Sequence, residues 1–86
     1  MFLHLGQNVT VPKSSVVGIF DIETSSISKI TREYFKKAQK NKIVINISDE
    51  LPKSYVVCEE NGKHLLYISQ ISSATLLKRN AFMNSL

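Results

Sequence analysis

Asn61-Gly62 constrains this chain more than any other pair of residues. It separates "KSYVVCEE" from "KHLLYIS", two runs rich in β-branched and aromatic residues. Asparagine and glycine both tolerate the positive φ angles of a type I′ turn, whose twist matches that of the flanking strands. The spacing therefore predicts a two-residue β-hairpin with Glu60 and Lys63 facing each other across the turn. A chain of 86 residues that commits so many of them to one hairpin has room for a single domain, spanning 1–86. Such a domain buries only a modest fraction of its surface, which makes self-association a natural source of stability.

Three more strand-like runs precede the first helix: "MFLHL" ended by Gly6, "NVTVP" stopped by Pro12, and "SVVGIFDIE". Gly18 inside the third predicts a bulge or a close backbone approach. From Ser28 the apolar period becomes helical, with Ile27, Ile30, Tyr34 and Ala38 on one face beside Thr31 and Phe35. Ser28 is read as its N-cap and Asn41 as its stop. "KIVINIS" follows as a strand, and "SSATLLKRNAF" as a closing helix capped by Ser72 or Ser73. Ala74, Leu77 and Ala81 would form its apolar face, and Lys78 and Arg79 would lie late enough to meet the helix dipole. The order βββ–α–β–ββ–α is an α+β domain with a mostly antiparallel sheet, because only the helix crossover invites a parallel pair.

Eleven Lys and Arg against seven Asp and Glu leave a net charge of +4, which favours acidic partners, nucleic acid before a membrane surface. Cys58 is the only cysteine, so no intramolecular disulfide or paired-cysteine metal site can form, and a reducing, cytoplasmic setting fits best. The N-terminus lacks a cationic start followed by an unbroken apolar core, and no apolar run reaches membrane-spanning length.

Catalysis finds little support in the residues. Asp21 and Glu23 alternate as a carboxylate pair would, but the strand pattern ends there, and solvated strand-end acids are the simpler reading. His4, Cys58 and His64 fall one ligand short of a structural zinc site. The three glycines are isolated, so no phosphate-cradling loop is visible, and no cofactor is expected. The first helix offers Lys29, Arg32, Lys36 and Lys40 along one arc, spaced to follow a phosphate backbone. The same arc also suits the solvated back of an amphipathic helix, with Glu33 and Lys37 as an ordinary i, i+4 pair.

"HLGQNVTVPKSSVVGIFD", "PKSYVV" and "ISSATLLKR", in this order and spacing, resemble the RemA/RemB family of extracellular matrix regulators, and "SSATLLKRNAFM" resembles its RemB branch most. The resemblance covers about His4 to Met83. It implies a fold similar to the LytTR DNA-binding domain, subunits assembled into closed rings around which DNA can wrap, and a role in activating biofilm-matrix genes without enzyme activity or cofactor. In the RemA branch, arginines that contact DNA lie in the loop before the "KSYVV"-type strand and in the turn after the second strand. The matching positions here are Glu50 and Leu51 in the loop and Ser15 in the turn. Glu50 repels phosphate and Ser15 brings a neutral hydroxyl, while Lys13 and Lys53 stand nearby as point charges without arginine's bidentate fork. The resulting DNA-contact set is Lys13, Ser15 and Lys53, with Arg32 and Lys36 as weaker additions. The rival expectation is an oligomeric interaction module that partners a related, DNA-binding regulator.

Overall fold

The computed structural model describes residues 1–34 and 42–85. Its elements run β1 (Phe2–Gly6), β2 (Val9–Pro12), a 3₁₀ turn at Lys13–Ser15, β3 (Val16–Asp21), α1 (Ile27–Tyr34), β4 (Lys42–Asn46), β5 (Ser54–Glu60), β6 (Lys63–Ser69) and α2 (Ser73–Ser85). The order is the one the sequence predicts. The strands divide into two sheets, an antiparallel β1–β2 pair and a four-stranded sheet of order β3-β5-β6-β4.

The hairpin at the centre of that sheet follows from its turn. Asn61 and Gly62 have φ of 53° and 79°, and β5 pairs with β6 in unbroken register from Ser54↔Ser69 to Glu60↔Lys63. β3 joins β5 antiparallel, with a register shift between Val16 and Gly18. That shift is the bulge expected at Gly18, and a Cβ there would come within 2.7 Å of the Phe20 ring. The parallel pair arises differently from the expectation. α1 carries the chain across the whole sheet, so β3 and β4 end at opposite edges, and β4 lies parallel to β6 instead of beside β3.

Alternation along β5 and β6 sends side chains to two cores, giving three layers. On one face Val56, Cys58 and Tyr67 pack with Leu3, Leu5 and Val11 of the β1–β2 pair and Leu76 of α2. On the other, Val57 and Leu66 meet Ile30 of α1, with Phe20 and Tyr55 around them. Buried serines tie the layers together. Ser69 donates to the Leu5 carbonyl at 2.7 Å and Ser54 to the Ile71 carbonyl at 2.8 Å. These hydroxyls satisfy backbone acceptors that a buried loop would otherwise leave unpaired.

Both helices depart from the sequence reading in detail. α1 is capped by Ser26, whose Oγ accepts from the Lys29 amide at 3.1 Å, and Ser28 lies within the helix. α2 is capped by Ser72, whose Oγ accepts from the Thr75 amide at 3.2 Å, as expected. Among its described side chains the buried one is Leu76, whereas Ala74 and Leu77 face solvent. α2 also continues to Ser85, so Lys78 and Arg79 sit in mid-helix, outside the last turn where the dipole acts. Phe35, Lys36, Lys37, Ala38, Lys40 and Asn41 lie outside the described residues, as do the side chains of Thr31, Tyr34 and Ala81.

Candidate nucleic-acid interface

The loop leading into β5 is held by its backbone and leaves its side chains outward. Lys53 donates its amide to the Ser69 carbonyl at 2.8 Å and accepts from the Ile22 amide at 3.3 Å. Further back, the Glu50 amide donates to Ser48 Oγ at 3.0 Å, closing a small turn. Glu50, Pro52 and Lys53 are exposed, and Leu51 is 82% exposed. A shallow groove of about 470 Å³ runs beside the loop, lined by Leu51, Pro52 and Lys53 and by Asp21 and Glu23 from the end of β3.

Those two acids change the electrostatics. β3 ends at Asp21, and Glu23 lies in the turn beyond it, its amide donating to Asp21 Oδ1 at 2.8 Å. Lys53 therefore shares the lining of this groove with the exposed Asp21 and Glu23, and the exposed Asp49 and Glu50 precede it in the same loop. Its attraction for a phosphate is offset by its own neighbours. Antiparallel pairing of β3 with β5 brings them together, and no local sequence pattern signals that pairing.

Lys13 and Ser15 occupy the opposite end of the β3–β5 ladder. From Val16↔Cys58 to Asp21↔Ser54 the ladder covers four steps of β5, or about 13 Å. Lys13 Nζ donates to the Asn80 carbonyl of α2 at 2.7 Å, so this cation serves as a tether for the closing helix. Ser15 is buried and donates to the Pro12 carbonyl at 2.7 Å. Its hydroxyl is committed inward. Arg32 is exposed on α1, as is Lys29 one turn before it, on the sheet face away from α2. Lys36 lies outside the described residues. One protomer thus spreads its candidate contacts over two ends of a sheet and a helix, without gathering them into one patch.

The other chemistry-bearing side chains are part of the fold. Burial pushes the Cys58 thiol up to about 11, with the neighbouring Ser15 side chain partly opposing the shift, so the thiol stays protonated at neutral pH. The Tyr67 hydroxyl is raised by burial as well. His4 Nε2 bonds the Gln7 carbonyl at 2.7 Å across the β1–β2 turn. No helix among the described residues is long and apolar enough to cross a membrane.

A family model described as RemA-like, extracellular matrix regulatory protein A-like, matches residues 2–79. The chain belongs to the RemA-like family. Extracellular matrix regulatory protein B of Bacillus subtilis (strain 168) is 42% identical over 83 residues, covering 96% of this chain and 94% of that protein. The RemA-like match takes in all five candidate contacts and the loop from Ser48 to Lys53. The likeness thus extends over nearly the whole domain.

Proposed function

We propose that this RemA-like chain is a non-enzymatic, DNA-associated transcriptional regulator of biofilm-matrix genes, cytoplasmic, with a LytTR-like fold and acting as a homo-oligomeric ring. The observation that carries this reading is the near-full-length similarity to a relative named as an extracellular matrix regulatory protein. The net charge of +4 and the exposed Lys29, Arg32 and Lys53 agree with a polyanionic partner. Contact is mainly to phosphates, with groove shape or bendability setting preference. Because the contacts of one protomer are few and scattered, useful affinity comes from repeating them around the ring, where linked weak sites sum by avidity.

A gel-shift titration on generic duplex at two salt concentrations, with particle mass measured in parallel, tests this. Affinity is expected to fall steeply with salt as phosphate contacts release counterions. Lys53→Ala should weaken binding equally on unrelated sequences and lower the salt slope by roughly one unit per engaged subunit. Loss on one sequence alone would mean that Lys53 reads bases. No shift at either salt would favour the second reading, an oligomeric interaction module. The 82% exposed Leu51 beside Glu50 supports that alternative, since an apolar knob ringed by acids suits a protein surface better than phosphate.

A further inference from the structure

The sequence predicts a dipole role for Lys78 and Arg79, and their mid-helix place removes it. Both are exposed, and what they can do follows from where α2 lies. Its N-cap Ser72 lines the groove beside Lys53, and its Asn80 carbonyl receives Lys13 Nζ at 2.7 Å. Packed against β3, α2 thus joins the two ends of the β3–β5 ladder. The rise from Ser72 to Asn80 is about 12 Å, close to the length of that ladder. Leu76 faces the core, so Lys78, two residues on, points about 200° away from it, into solvent. Arg79 turns toward β1, where Nη1 donates to the His4 carbonyl at 3.4 Å, using one of five guanidinium donors. All seven acids fall between Asp21 and Glu60, so β1, β2, the 3₁₀ turn and α2 carry none. The Asn80 carbonyl is neutral, so its bond fixes the place of the Lys13 charge without cancelling it.

Resting on the DNA reading above, we infer that Lys78 and Arg79 are DNA-contact residues, which α2 aligns between Lys53 and Lys13 as one row for a duplex backbone. Contacts that are scattered on the sheet become continuous along the helix. A straight row one helix long suits a rod-like polyanion. Phosphates recur at roughly 3.4 Å of axis along each strand, so a row of about 12 Å spans three to four base steps. Cations set this way hold the backbone at any sequence and fix the register of the protein on it. The row is strongest at its Lys13 end, where no carboxylate belongs to the same layer, and weakest at Lys53 beside Asp21 and Glu23. Lys29 and Arg32 lie on α1 across the sheet, so a duplex seated on α2 does not reach them.

The test compares Lys78→Ala, Arg79→Ala and Arg32→Ala, which each remove one positive charge, the last from the opposite face. Generic duplex is titrated at two salt concentrations with variants of parental particle mass and circular dichroism. Lys78→Ala and Arg79→Ala should each lower the slope of log affinity against log salt by roughly one unit per engaged subunit. Arg32→Ala should leave it unchanged. Lys78 makes no hydrogen bond among the described residues, so its loss spares the fold. Ala74→Lys, at an exposed position one turn before Lys78, should add roughly one unit. Parental slopes in Lys78→Ala and Arg79→Ala, with a lower slope in Lys53→Ala, would overturn the inference and leave the DNA reading standing. An equal loss in Arg32→Ala would also overturn it, because net charge would then explain every effect. So would an Ala74→Lys variant that gains nothing. A parent protein that binds no duplex at either salt would sink the DNA reading, and the row with it.

Discussion

Replacing Glu50 and Leu51 together by arginine is expected to tighten binding to generic duplex DNA by on the order of tenfold per engaged subunit at low salt, and to steepen its salt dependence. The double change moves the loop by three charges per protomer, from net acid to net base. Both side chains are exposed, Leu51 nearly fully, so the cost to folding is small. Each new phosphate contact should add roughly one unit to the slope of log affinity against log salt. In the proposed ring the effect would repeat at every protomer. The readout is a titration at two salt concentrations on particles of parental mass. Unchanged binding would place the loop away from DNA and give the lead to the interaction-module reading. A fall in mass would show Leu51 packed between subunits.

Leu66→Ala is expected to cost about 2–5 kcal/mol, a large share of the total available to the domain. A chain of this length has a stability of roughly 4–13 kcal/mol. Leu66 is fully buried in β6, with Val57 of β5 and Val44 of β4 as its strand partners. It belongs to the small cluster that holds α1, where Ile30 and Val57 are the only other buried members among the described residues. Truncation leaves a cavity in a core too small to redistribute the loss. Urea unfolding should show a much lower midpoint, while Leu77→Ala, at a half-exposed position of α2, should shift it little. Equal effects of the two would mean that the assignment of Leu66 to the core and Leu77 to the surface is wrong.

Those two leucines illustrate what the sequence makes legible and what it hides. The β5–β6 hairpin is readable because its turn chemistry is local: Asn61-Gly62 fixes φ, and the alternation on either side fixes register. The facing of α2 is not readable in the same way. "ATLLKR" places two leucines a hundred degrees apart, and which one turns inward depends on where β1 and the sheet lie. "TSSIS" likewise offers several hydroxyls, and Ser26 caps α1 because the chain leaves the turn there. The site shows the same division. The exposure of Lys53 and the acidity of its own loop could be read directly, but its neighbours Asp21 and Glu23 arrive through β3–β5 pairing. Lys13 reads as a free cation until α2 folds back to present the Asn80 carbonyl.

The crossing of α1 over the sheet also dictates an order of assembly in time. The β5–β6 turn joins residues three apart in the chain, and such hairpins close within microseconds. β4 and β6 partners are 22 residues apart, and the nearest β3–β5 pair, Asp21↔Ser54, is 33 apart. Longer closures lose more chain entropy before any contact repays it, which slows folding. The middle of the sheet is therefore expected to form first and both outer strands last, with φ-values high near Asn61-Gly62 and low in β3 and β4. High φ-values in β4 would reverse that order. A nascent chain waiting for its outer strands exposes Val56, Val57 and Leu66 meanwhile, so the slowest step is also the one most open to aggregation.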